Sequence, residues 1–144
     1  LSKSLETLAV RIDRHCENAH VIAEKLEASQ EINWVKYPFL KSHPQYALAK
    51  KQMLKGGNII AFELKGGIDA GRNFINAIEL CSLSSNLGDS RTIITHPAST
   101  THSKLSEEDR FAVGITDGMI RLSVGLEHHE DIWNDLKNAL SKIG

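Results

Sequence analysis

Three short segments hold residue types that chemistry can use. In Met119-Ile120-Arg121-Leu122-Ser123-Val124-Gly125, a strand would send Ile120, Leu122 and Val124 to one face and Arg121, Ser123 and Gly125 to the other. The second face then carries one fixed cation among very small neighbours. A guanidinium presents a planar fork that meets a carboxylate through two parallel hydrogen bonds, and small neighbours let such a ligand approach the strand closely. An arginine solvated on an exposed sheet face fits the same spacing. The segment Ser84-Ser85-Asn86-Leu87-Gly88-Asp89 gathers short polar side chains at a strand end before a turn. There the Asn86 amide could donate to a carboxylate oxygen, although Asn and Asp beside Gly also make an ordinary tight bend. The third segment, His96 to Ser103, places hydroxyls and two imidazoles within a short reach. It suits either a polar pocket wall or a solvated loop, and the absence of GxSxG leaves it without a nucleophile elbow.

Other chemistries find no support. His15 and His20 are five apart on a helical stretch and so diverge, His128 and His129 are adjacent, and HExxH does not occur, so no metal site is expected. Neither GxGxxG nor GxxxxGK[ST] is present to cradle a phosphate. Cys16 and Cys81 lie far apart in apolar or helical surroundings and read as buried free thiols. Seventeen basic against eighteen acidic side chains give a formal charge of −1, with both signs spread along the chain, so no footprint for nucleic acid is expected. No apolar run approaches the roughly 18 residues that cross a bilayer, and no signal pattern opens the chain, so a cytoplasmic setting is expected.

The elements that must position these residues follow from periodicity. A length of 144 residues predicts one domain. Leu5, Leu8, Ile12, Cys16, Ala19, Ile22 and Leu26 draw one stripe along a helix from Ser4, its N-cap, to about Ala28. Strands are predicted over Ile32 to Tyr37, Asn58 to Lys65, Leu83 to Leu87, Thr92 to Thr95 and Ile120 to Val124. The third and fourth meet across a turn at Gly88-Asp89. Helices are predicted around Tyr46 to Met53, over Asp69 to Leu80, over Glu107 to Val113 with Ser106 as cap, and from Ile132 to Ile143. Pro97 to Ser106 is read as an exposed loop. Several connections are too short for a parallel crossover, which predicts an antiparallel or mixed sheet with packed helices, an α+β fold (α/β in looser naming).

Three blocks, taken in order, carry a resemblance: Asn86 to Thr92, Thr95 to His102, and Ile120 to Glu127. Together with the Ser4 to His15 helix start and Phe62-Glu63-Leu64-Lys65-Gly66-Gly67, they closely resemble the last third of the Cys/Met-metabolism family of pyridoxal-phosphate enzymes. The resemblance implies that residues 1–144 are the C-terminal, substrate-side small domain of a fold-type-I enzyme, without the large N-terminal domain that binds the cofactor. It implies that Arg121 grips the substrate α-carboxylate. Asn86 stands where many members have a serine near that carboxylate, and Leu87 would offer its backbone N–H. The His96 to Ser103 loop would border the pocket entrance, and no lysine here matches the Schiff-base lysine. No catalytic or cofactor-binding residue is thus expected in this chain, and no bound pyridoxal phosphate. Asn-Leu-Gly-Asp looks most like sulfhydrylases of O-succinyl- or O-acetylhomoserine, which use the cofactor as electron sink and add sulfide to make homocysteine. Cystathionine γ-synthase, methionine γ-lyase and a free-standing amino-acid-binding module are the alternatives. A homo-oligomeric parent enzyme is also implied.

Overall fold

Residues 2–143 are described by a computed structural model. Five strands form one sheet in the order β1-β2-β5-β4-β3: β1 is Ile32–Lys36, β2 Ile59–Leu64, β3 Ser82–Leu83, β4 Ile93–Thr95 and β5 Met119–Ser123. All neighbouring pairs are antiparallel except β3 with β4, so the sheet is mixed and the fold is α+β, as expected. The helices are α1 Ser2–Glu6, α2 Leu8–Glu27, α3 Tyr46–Gln52, α4 Gly67–Ala77, α5 Glu107–Ala112 and α6 His129–Leu140.

Alternation along the strands builds the core. Ile60, Phe62 and Leu64 of β2, Ile120 and Leu122 of β5 and Ile94 of β4 are all buried on the inner face. They meet Ala19, Ile22, Ala23 and Leu26 of α2, Ala70 and Phe74 of α4, and Ile132, Leu136 and Ala139 of α6 in one cluster. Phe62 and Phe74 pack edge to face, with centroids 5.9 Å apart. The intervening β2 residues, Ala61 and Glu63, point the other way and stay partly exposed.

Three expectations need correction. The first helix is broken at Thr7, and Ser4 lies inside α1 rather than capping the helix. Its stripe is buried only from Cys16 onward, whereas Leu5, Leu8 and Ile12 are exposed. The cause is length. An α-helix of 20 residues runs about 30 Å, while a strand of six, the longest in this sheet, covers about 20 Å, so the N-terminal turns of α2 overhang the sheet.

The second correction concerns β3, which ends at Leu83 and pairs parallel with β4 instead of forming a hairpin at Gly88-Asp89. With strands this short the return path is only a few ångströms, so the connection 84–92 suffices without a crossover helix. The third concerns the segment after β4. His96, Pro97 and Ala98 are buried, and Pro97–Ser99 forms a 3₁₀ turn, so only the remainder of the predicted loop is exposed. Ser106 does cap α5, its Oγ accepting the Asp109 N–H at 3.1 Å.

The path from α4 into β3 depends on a carboxylate from another element. Asp135 of α6, nearly buried, accepts the N–H groups of Glu79, Leu80 and Cys81 at 2.8, 3.0 and 2.9 Å. Burial and the Asp135 charge together push the Cys81 thiol well above its ordinary range, so it stays protonated. Removing the carboxylate would strand the buried Cys81 N–H, at roughly 1–3 kcal/mol, and leave the part-buried Glu79 and Leu80 N–H groups to water at a smaller cost. Asp135→Ala is therefore expected to lower stability by about 3 kcal/mol and Asp135→Asn by less, measured as the shift in urea midpoint.

Candidate functional site

On the outer face of the sheet, the period-two rule places Arg121 at the centre of β5, level with Ala61 of β2 and Thr95 of β4. Its inward neighbours Ile120 and Leu122 are fully buried, which fixes the guanidinium on the opposite side. The Arg121 side chain is partly exposed, and its Nη2 donates to the Ser85 carbonyl at 2.8 Å. No carboxylate pairs with it among the described residues. Most of its N–H donors thus remain available to a ligand.

That one hydrogen bond joins Arg121 to the segment expected to work with it. After β3 the chain leaves the sheet, crosses the outer face and reaches β5, where the Gly88 N–H donates to Ser123 Oγ at 3.0 Å. Gly88 has φ +77°, a left-handed conformation that favours glycine. Asn86 and Leu87 form the exposed tip of this turn, and the Asn86 N–H donates to Ser84 Oγ at 3.2 Å. Beyond the tip, Asp89 accepts from the Arg91 backbone at 2.9 Å and from its guanidinium at 3.2 and 3.3 Å. These bonds, the side-chain one first, hold the Asp89 carboxyl down at about 2. Beside the turn lies a cleft of about 150 Å³ lined by Leu83, Ser84, Ser85, Ile94, Thr95 and Thr100.

The small residues beside Arg121 do not provide the open approach expected of them. Ser123 is buried under the turn. Gly125 is pressed between the Arg91-Thr92 backbone and the Glu127 carboxylate, so that a Cβ there would collide with all three. On this face Arg121 and Ala61 are instead part-exposed. Sequence reasoning also missed the tie that closes this corner. Glu127 accepts the Thr92 N–H at 2.7 Å and its hydroxyl at 2.8 Å, while Thr92 Oγ1 accepts the Gly125 N–H at 2.9 Å. Such pairs have no periodicity by which to find them.

Of the loop expected to border the pocket, Thr100 lines the cleft beside the turn, whereas His96 itself is buried. Its Nε2–H donates to the Asp117 carbonyl at 2.7 Å, which leaves Nδ1 to accept the Ser99 hydroxyl at 2.8 Å, a neutral tautomer. Gly71 of α4 packs directly against the ring with no room for a Cβ. His15 is likewise structural, bonded through Nδ1 to the Val124 carbonyl at 2.6 Å. No group of three metal-ligating side chains assembles among the described residues, and no helix there is long and apolar enough to cross a membrane.

A profile of the family described as Cys/Met metabolism PLP-dependent enzymes matches residues 1–141. The chain belongs to this family. It is 50% identical over 141 residues to an L-methionine gamma-lyase of Fusobacterium nucleatum, covering 98% of this chain and 36% of that protein. It is 45% identical over 143 residues to an O-acetyl-L-homoserine sulfhydrylase of Leptospira meyeri, covering 98% of this chain and 32% of that one. The crystal structure of a cystathionine gamma synthase from Xanthomonas oryzae pv. oryzae, in complex with aminoacrylate and cysteine, superposes with a TM-score of 0.91 at 42% identity, over 98% of this chain and 36% of that chain. The chain thus spans about a third of the length of the relatives it matches.

The family depends on pyridoxal phosphate. Lys55 pairs with Asp13, Lys25 with Glu130 and Lys65 with the Gln30 carbonyl, while Lys36 stands in the row of Arg121, two strands away across Ala61, with its ammonium over the Trp34 ring. What this part of a Cys/Met-metabolism enzyme does hold is a cation with no described carboxylate partner beside a polar turn, a chemistry suited to an anion.

Burial lowers the His96 pKa from its ordinary 6.5, outweighing the hydrogen bond to the Asp117 carbonyl. The unfolded chain therefore binds the proton more tightly. The stability contributed by neutral His96 is full above about pH 6.5 and is lost as the pH falls through the lower folded value. Thermal unfolding from pH 7.5 downward is expected to show a falling midpoint, with a shallower slope in His96→Gln.

Proposed function

We propose that this domain grips the α-carboxylate of an amino-acid substrate in a pyridoxal-phosphate enzyme acting at the γ-carbon of sulfur amino acids or homoserine esters. The observation that carries the reading is the state of Arg121: fixed outward by strand register, steadied by one carbonyl and unpaired by any described carboxylate. Asn86 and the Leu87 N–H, at the tip of the turn tied to Arg121, are the second group of donors for the same carboxylate. The domain orients and the cofactor domain reacts, so grip here contributes through positioning. The exposed Leu5, Leu8, Ile12, Phe111 and Val113 are apolar surface for that cofactor domain, or for other subunits of a homo-oligomer, to cover.

Two γ-chemistries compete for the finer assignment. The Asn-Leu-Gly-Asp turn favours a homoserine-ester sulfhydrylase, which would take an O-acyl ester and sulfide to homocysteine. The identities of 48–50% to proteins named L-methionine gamma-lyase favour elimination from methionine, and we rank that reading first. Assaying the intact enzyme decides between them: release of methanethiol from L-methionine supports the lyase, and sulfide-dependent homocysteine formation supports the sulfhydrylase. A protein that binds amino acids and does neither would be a binding module.

In the intact enzyme, Arg121→Ala is expected to raise KM for the amino-acid substrate by about 100-fold or more, since a charged bidentate contact is worth roughly 3 kcal/mol, with circular dichroism unchanged. Arg121→Lys keeps the charge without the fork and should recover only part of the loss. Wild-type kinetics in Arg121→Ala would remove the carboxylate assignment. The isolated domain, mixed with pyridoxal phosphate, is expected to give no stable stoichiometric imine absorbance; such a band would place a cofactor lysine within it.

A further inference from the structure

We infer that Ser123 is a positioning residue for the anion-binding tip, acting through the Gly88 N–H and never touching substrate; the inference rests on the carboxylate reading of Arg121. Ser123 follows Arg121 by two and so shares its face of β5. Its Oγ accepts the Gly88 N–H at 3.0 Å and the Asn58 amide at 3.3 Å, and the residue is only 1% exposed. The tip therefore has two tethers on one strand: Arg121 Nη2 to the Ser85 carbonyl on one side, Gly88 N–H to Ser123 Oγ on the other. Asn86 and Leu87 bridge the interval between them.

The two tethers are not equivalent. The Arg121 tether uses the same guanidinium that must meet the ligand, so it is weakened when the fork turns to a carboxylate. The Ser123 tether is independent of the ligand. The other ties of this segment lie at its ends, where the Ser84 N–H donates to the Ile94 carbonyl, the Thr95 hydroxyl to the Ser84 carbonyl and the Leu126 N–H to the Ser90 carbonyl, while at the tip itself the Asn86 N–H bonds only to Ser84 within the same turn. Ser123 thus keeps Asn86 and the Leu87 N–H in register with Arg121 at the moment when Arg121 changes partner. A serine that merely satisfied its buried neighbours would affect stability without distinguishing one ligand from another. Gly88 is exposed, so water can take over its N–H when the hydroxyl is removed, and Ser123→Ala should fold.

The test uses the intact holoenzyme and two unreactive probes, L-norleucine and pentylamine, which differ by the α-carboxylate. Ser123→Ala is expected to weaken norleucine by about tenfold, the value of one well-placed hydrogen bond, and to leave pentylamine affinity unchanged. Should the alanine variant lose its fold by circular dichroism, Ser123→Cys fills the space with a weaker acceptor, and the same selective loss is expected. Equal affinities to wild type for both probes, or equal weakening of both, would overturn the role of Ser123. If Arg121→Ala also fails to change the norleucine-to-pentylamine ratio, the carboxylate reading itself falls; if Arg121→Ala changes it and the Ser123 variants do not, only the positioning role is lost.

Discussion

The register of β5 is the constraint on which the rest of this structure depends. Ile120, Leu122 and Val124 are fully buried against helices, and a slip by one residue would exchange them for Met119, Arg121 and Ser123. That exchange would drive a guanidinium into an apolar core, at a cost far beyond the stability of a domain this size. Because β5 is the middle strand, its register is set twice, by β2 through Ile60 opposite Leu122 and by β4 through Ile94 opposite the same residue. The direction in which Arg121 points is thus settled by hydrophobic burial, and its readiness for an anion is a by-product of where the apolar residues must go.

Polar ties then fix what lies beyond the strand end. His15 and Asn18 of α2 hold the Val124, Gly125 and Glu127 carbonyls, and Asn58 reaches the Val124 carbonyl from the start of β2. Glu127 and Thr92 lock the strand's exit to the approach of β4. Such ties consume the polar groups of buried backbone that ladder bonding leaves over, as buried polar groups require. Their effect at the surface is that the outer face of β5 offers one charged side chain, Arg121, between part-exposed Met119 and buried Ser123.

Much of this was legible in the order of residues. Alternation marked β2 and β5 within a residue of their observed ends, and the 3–4 stripe from Cys16 to Leu26 marked the buried part of α2. Ser106 with three acids after it marked the start of α5. The same stripe misled at Leu5, Leu8 and Ile12, because periodicity records which face is apolar and is silent about what lies opposite. The Asn86-Leu87-Gly88-Asp89 turn was recognised for its glycine, yet its path across β4 depends on Ser123 and Arg121, both distant in sequence. Bonds between a side chain and a far backbone group carry no repeat, so the parallel β3, the burial of His96 and the closure over Gly125 had no local signature.

The sheet's borders have a practical meaning for the isolated domain. On one side β3 is just two residues long, and on the other β1 is interrupted by a register shift between Ile32 and Trp34 and ends in Lys36. A short strand offers few unpaired backbone groups, while a bulge and a lysine spoil the flat template that a foreign strand needs. Unsatisfied apolar side chains on α1, α2 and α5 can make the molecule adhesive, but growth into fibrils by edge-on strand addition is blocked at both margins.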